Sequence, residues 1–206
     1  MVNALEALEM LQVGNRRFIE GRQSHGGMTL RDQMEASARE QTPFAIIIGC
    51  SDSRVPAEIV FDQGIGDLFV IRVAGNVVAP SQIGSVEFAA EQFGTELVVV
   101  LGHSNCGAVA ATIDQLHQPT ENRSPNLHSI VDRIRPSIQG LLGTNLEDDP
   151  EALMRAGVRA NVRSSVAQLR SGSQILEALV QKDRLNVVGA EYSLSTGLVE
   201  FFEGVH

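Results

Sequence analysis

Four apolar runs constrain the fold of this 206-residue chain more than any other feature: Phe44–Ile48, Leu68–Val73, Leu97–Leu101 and Leu185–Ala190. They are interrupted only by Arg72 and Asn186 and show none of the apolar–polar alternation of a strand with one wet face. Runs of this kind are strands covered on both faces, and such strands belong to parallel sheets flanked by helices. Helical stretches separate them, and strand–helix–strand order demands parallel crossovers. The predicted fold class is therefore α/β: a central, mostly parallel sheet of about four parallel strands plus an antiparallel edge strand. The edge strand is expected from a hairpin over Tyr192–Phe202, turning at Ser195-Thr196-Gly197.

The helices follow from periodicity and punctuation. Leu5, Leu8, Leu11, Phe18 and Ile19 fall near one face of an N-terminal helix that Gly21 ends. Thr29 with Asp32 reads as the capped start of a second helix running to about Glu40. Residues 1–40 thus form a helical arm on a single domain spanning 1–206, packing against the body or a partner subunit. Pro56–Phe61 is expected to make a helical turn, and Ser81–Phe93 a helix with Val86, Phe88, Ala89 and Ala90 inward. Further helices are expected over Gly107–Leu116, Asn126–Leu142, Pro150–Arg170 and Ser173–Lys182, with polar, turn-like sequence at Pro119–Pro125 and an acidic link at Asn145–Pro150.

A formal charge of −9 argues against attraction to nucleic acid or to an anionic membrane surface. The longest apolar runs are too short to span a bilayer, and Met1–Gly21 is amphipathic instead of signal-like, so a cytoplasmic location is expected. In that compartment the two cysteines stay reduced, which sets aside a Cys50–Cys106 disulfide. Reduced cysteines near His and Asp point to metal or nucleophile chemistry.

That chemistry concentrates at two predicted strand ends, Gly49-Cys50-Ser51-Asp52-Ser53-Arg54-Val55 and Gly102-His103-Ser104-Asn105-Cys106-Gly107. Taken singly, Cys50 reads as a small buried hydrophobe, His103 as a hydrogen-bonded strand-end histidine, and Arg54 as a solvated charge. Together they read differently. His103 and Cys106 are three apart where a strand turns into a helix, and the carboxyl ends of neighbouring parallel strands lie side by side. Cys50, His103 and Cys106 can then hold zinc, with the fourth position left to water or to Asp52. His25, His117, His128 and His206 lie in polar or terminal contexts and are read as surface residues.

The two strand-end motifs resemble those of the β-class carbonic anhydrases, and the similarity extends along most of the chain. Leu11 with Gly14-Asn15-Arg16-Arg17-Phe18 resembles that family's N-terminal helix, and Phe69-Val70-Ile71-Arg72-Val73-Ala74-Gly75-Asn76 its second strand and turn. Gly84-Ser85-Val86-Glu87-Phe88-Ala89 resembles its next helix, and Tyr192-Ser193-Leu194-Ser195-Thr196-Gly197 its final hairpin. The resemblance implies a zinc lyase that reversibly hydrates carbon dioxide to bicarbonate and a proton. Cys50, His103 and Cys106 would be the Zn2+ ligands, and zinc-bound hydroxide would attack, oriented by the Asp52–Arg54 dyad. Two thiolates make the ion a weaker acid than three imidazoles would, so an alkaline optimum is expected.

The resemblance further implies that Phe69, Ala74, Phe88 and Gly107 line the substrate cleft. Gln41 would bind substrate from a neighbouring subunit of a homodimer or a dimer of dimers. Some members rest closed, with the aspartate as fourth zinc ligand, stabilised by bicarbonate near Trp, Arg and Tyr. Arg72 and Tyr192 match, but Ile47 replaces the tryptophan and the chain contains none, which implies an open zinc position near neutral or alkaline pH. Other readings of the same motifs are a carbonyl sulfide or carbon disulfide hydrolase, a catalytically inactive zinc-binding relative, or a cysteine-nucleophile enzyme. The last is weakest, because His103 is the only evident base for Cys50 and is already engaged by the metal geometry.

Overall fold

The computed structural model of the chain describes residues 2–24, 29–118 and 124–205. All four apolar runs are strands: β1 (Ala45–Gly49), β2 (Leu68–Arg72), β3 (Leu97–His103) and β4 (Asn186–Tyr192), joined by β5 (Val199–Glu203). They form one sheet in the order β2-β1-β3-β4-β5. The first four are mutually parallel, and β5 runs antiparallel along the edge of β4. Every residue of β1 and of β3 is buried, which explains their unbroken apolar character.

The helices are α1 (Ala4–Ile19), α2 (Leu30–Ser37), α3 (Ala57–Val60), α4 (Pro80–Phe93), α5 (Gly107–His117), α6 (Pro125–Ile138), α7 (Pro150–Ser171) and α8 (Gln174–Gln181). Side chains alternate across the central strands. Ile47, Val99 and Leu101 meet Leu8 and Leu11 of α1 and Val60 of α3 on one face. Ile46, Ile48, Val98 and Val100 meet Val86 of α4, Val162 and Val166 of α7 and Leu176 of α8 on the other. Each fully buried aliphatic side chain contributes about 2 kcal/mol. A third cluster, built by α5, α6 and α7, surrounds the carboxyl ends of β1 and β3.

Several expectations shift. Strands β3 and β4 run two residues past Leu101 and Ala190, so His103 lies in the sheet, opposite Tyr192, and not in a loop. Helix α2 stops at Ser37, short of Glu40, because a stretch so polar has almost no apolar stripe to bury. Helix α6 stops at Ile138 and tightens into a 3-10 turn over Gln139–Leu141, just before Gly143 takes a φ of 75°. Leu5 and Ile19 are exposed, since the buried stripe of α1 runs through Ala7, Leu8, Leu11 and Asn15. Phe88 is also misplaced by the periodicity: it is 53% exposed, and the inner face of α4 is Val86, Ala89 and Ala90. Residues 119–123 of the expected polar turn lie outside the described residues, as do His25 and His206. Of the other two histidines, His117 is an exposed partner of Glu147, whereas His128 is half-buried.

The arm is pinned by one buried amide. Asn15 donates through Nδ2 to the carbonyls of Val60 (3.1 Å) and Gly197 (2.8 Å) and accepts from the Val199 N–H (2.9 Å). Arg17 adds an ion pair to the fully buried Asp62 just beyond α3. The close approach depends on Gly14, where a Cβ would come within 1.8 Å of the Phe61 carbonyl oxygen. Asn15→Ala leaves three backbone groups unpaired, two of them buried, and the expected loss is about 3 kcal/mol of unfolding free energy. Urea denaturation followed by circular dichroism measures it.

Candidate metal centre

Strands β1 and β3 are adjacent and parallel, with Gly49 opposite Leu101, so both chains leave the sheet at the same edge. Cys50 follows β1 directly, and His103 closes β3. Between His103 and Cys106 the chain reverses through Asn105, whose φ of 55° is left-handed, a conformation asparagine tolerates better than most residues. The turn sets Cys106 at the N-cap of α5, where free first-turn N–H groups and the helix dipole favour a thiolate.

Cys50, His103 and Cys106 are all buried, and one ligand atom from each lies within 4.8 Å of the others. Both cysteines are free thiols. His103 is fully buried, and its Nδ1 lies 2.9 Å from the Ser104 carbonyl. A carbonyl only accepts, so Nδ1 carries the proton and Nε2 presents a lone pair. Among the described residues that buried Nε2 has no hydrogen-bond partner, an omission that costs on the order of 1–3 kcal/mol. Two thiols and an imidazole nitrogen, with both cysteines set in an apolar cluster, are donors of the kind that could hold a metal ion.

A carboxylate and a guanidinium border the group. Arg54 donates from Nε to Asp52 Oδ1 at 2.9 Å and from Nη2 to Oδ2 at 2.7 Å, and the Arg54 backbone N–H reaches Oδ1 at 3.0 Å. Asp52 Oδ2 also stands 3.9 Å from His103 Nε2, too far for a hydrogen bond but close enough to face the same space. The Arg54 guanidinium holds the Asp52 carboxyl well below the usual carboxylate range, against a smaller opposing effect of burial. Within this group the Cys50 thiol is pushed down, first by the Cys106 thiol and, against burial, by His103 and the Gly75 N–H. Cys106 is pushed up by Cys50 and by burial. Burial opposes charge on His103, but the Cys50 sulfur and the Ser104 carbonyl outweigh it and raise the ring's pKa.

The surrounding bonds hold the loops and were not read from the sequence in this role. Arg72, the one charge in β2, donates from Nε to the Cys50 carbonyl (3.1 Å) and from Nη2 to the Asp52 carbonyl (2.6 Å). A lone arginine in an apolar strand was its signal. Ser104 donates its N–H to the Tyr192 carbonyl (2.9 Å) and accepts the Leu194 N–H at Oγ (3.0 Å), tying the histidine's neighbour to the β4–β5 connection. No local pattern marks that tie.

The remaining expected site residues divide. Ala74 lies next to Gly75, whose N–H donates to Cys50 Sγ at 3.3 Å. Gly107 begins α5 beside Cys106, with open space where a side chain would stand. Phe69 lies opposite Ile46, four residues before Cys50, in an aromatic cluster with Phe88 and Phe93 at 6.2 and 6.1 Å. Gln41 precedes the opposite end of β1 and lines a different cleft, with Phe44, Phe93 and Thr95. One chain therefore assembles Cys50, Asp52, Arg54, His103 and Cys106, with Ala74 and Gly107 beside them, and leaves Gln41, Phe69 and Phe88 away from them.

Comparison with known proteins agrees with this geometry. The carbonic anhydrase family model matches residues 45–199. The chain is 37% identical over 195 residues to carbonic anhydrase 2 of Mycobacterium tuberculosis, covering 95% of this chain and 91% of the relative. It is 38% identical over 202 residues to a carbonic anhydrase of Mycolicibacterium smegmatis, covering 96% and 93%. Among solved structures, a Coccomyxa β-carbonic anhydrase in complex with acetazolamide superposes with a TM-score of 0.73 at 25% identity, over 84% of this chain and 77% of that one. With its family motifs gathered at one sheet edge and its relatives matched nearly end to end, the chain belongs to the β-class carbonic anhydrases.

Proposed function

We propose that this protein catalyses the reversible hydration of carbon dioxide to bicarbonate and a proton, with zinc held by Cys50, His103 Nε2 and Cys106. The observation that carries the reading is the unpartnered, buried Nε2 of His103 aimed among two thiols, with an ionised carboxylate at 3.9 Å. When bound, zinc supplies Lewis acidity that lowers the pKa of water to about 7, so a nucleophile is available near neutrality.

The chain's own groups do the rest. Asp52 stays ionised because Arg54 grips both of its oxygens, so it can only accept hydrogen bonds. Its free lone pairs take the proton side of the attacking water and turn the opposite lone pair toward carbon dioxide. Arg54 fixes the carboxylate's plane, and Arg72 fixes the backbone on either side of it. Carbon dioxide is uncharged and is bound by fit, for which Ala74 and the open space at Gly107 leave room. The Asp52–Arg54 pairing supports an open metal position, as the missing tryptophan also suggests.

The active unit is a homo-oligomer of at least two chains. Gln41 stands beyond the far end of β1 from Cys50 and can serve substrate only in a neighbour's site. Strand β2 is a sheet edge, and beside it Phe88 offers 53% of its surface together with Phe69 and Phe93. That edge is the face on which a second copy would close the cleft.

Purified protein is expected to carry one zinc per chain by elemental analysis, and chelation should abolish carbon dioxide hydration until zinc is restored. Cys106→Ser should lose both metal and activity. Asp52→Asn should keep its zinc and lose roughly 10²–10⁴-fold in kcat/KM, since a carboxamide cannot serve as a pure acceptor. Stopped-flow hydration beside metal content separates the two effects. Gln41→Ala and Asp52→Asn chains, each impaired alone, should recover activity when mixed and reassociated, because the hybrid holds one complete site. No recovery would place Gln41 within its own chain's site or outside catalysis.

A further inference from the structure

The Cys50 thiol has a partner that belongs to no ligand set. The Gly75 N–H donates to Cys50 Sγ at 3.3 Å, from a buried turn in which Gly75 (φ 67°) and Asn76 (φ 44°) are both left-handed. Glycine has the widest backbone freedom of any residue, and the one local tie, from the Asn76 N–H to the Val73 carbonyl at 3.1 Å, closes the turn without gripping Gly75 itself. A tight cradle limits what can stand there: a Cβ at Gly75 would lie 2.8 Å from Ile134 Cδ1 and 2.9 Å from Ala108 Cβ.

A second hold comes from α7, far along the chain. Asn161 is 2% exposed and donates from Nδ2 to the Gly75 carbonyl at 2.8 Å. One helical turn further, Ser165 donates from Oγ to the Asn76 carbonyl at 3.1 Å. The two bonds differ in what they fix. Asn161 grips the very residue whose N–H meets the sulfur, while Ser165 grips the next.

We propose that Asn161 is a positioning residue for the metal centre, acting through Gly75 to keep an N–H···S hydrogen bond on the Cys50 thiolate. Such a bond stabilises the thiolate over the thiol and draws electron density from its sulfur. It thereby favours metal binding and weakens the sulfur's donation to the ion. Partners of metal ligands commonly contribute 10–100-fold in affinity. The inference rests on the Cys50–His103–Cys106 reading of the metal site.

The test has two parts. In native protein loaded with a spin-active cadmium isotope, scalar coupling to the metal is expected at the Cys50 β-protons and also at the Gly75 amide proton. Coupling at Cys50 without Gly75 overturns this inference alone; coupling at neither overturns the metal-site reading and this inference with it. The second part compares Asn161→Leu, similar in volume but without a donor, with Ser165→Ala. Both should melt lower than the native chain. Only Asn161→Leu should bind zinc roughly 10–100-fold more weakly in chelator competition, and only it should move the thiolate-to-metal charge-transfer band of the cobalt form to lower energy. A folded Asn161→Leu protein with native affinity and band position leaves Asn161 a packing residue and refutes the proposal. If that variant does not fold, Asn161→Ala carries the same zinc-affinity and cobalt-band comparison, with the same outcomes.

Discussion

Parallel pairing of β1 with β3 is the constraint on which the rest of the molecule depends. Two strands that run the same way, one opposite the other from Ile46 to Gly49, must leave the sheet at the same edge. Cys50 and His103, distant in sequence, then become neighbours without any long-range search for each other. An antiparallel pairing of the same runs would send one ligand to each edge. The apolar uniformity of both strands is what enforces the parallel arrangement, because each face needs a helical cover.

Around that edge the chemistry is graded from apolar to charged. The thiols sit in a cluster with Val109, Ile134, Ile138 and Val158, which keeps water from them on the protein side. Asp52 is mostly shielded and Arg54 more open, so charge appears only where solvent and substrate arrive. A bidentate guanidinium is suited to this position, since a lysine could hold only one oxygen direction at a time. Arg72 plays the complementary part on the backbone, holding the carbonyls that flank the loop.

Much of this was legible in the residues themselves. Continuous apolar runs are a strong local signal, and they gave the four parallel strands; the turn at Ser195-Thr196-Gly197 marked β5, with Gly197 at a φ of 77°. The Cys50–His103–Cys106 group and the Asp52–Arg54 pair were legible because they are crowded into two short stretches at strand ends. What escaped was non-local or depended on partners. Phe88 fits the helical period of an inner face, yet the neighbouring positions fill the available core and turn it outward. The ties from Ser104 to Leu194 and from Asn161 to Gly75 join residues 90 and 86 apart, and no spacing rule reaches that far. Strand β3 overran its expected end because Gly102 and His103 pair with the equally overrunning β4, which neither segment reveals alone.

The amide of Asn15 joins the first helix to the last hairpin, across 182 and 184 residues. During synthesis the amino-terminal helix therefore has no complete berth until Gly197 and Val199 have left the ribosome. All three candidate ligand side chains are made by residue 106, whereas Ser104's anchor at Leu194 lies 90 residues beyond Ser104. A nascent chain can thus gather its donor atoms well before the frame that steadies them exists. Native closure of this sheet waits on contacts of long sequence separation, the kind that set folding speed.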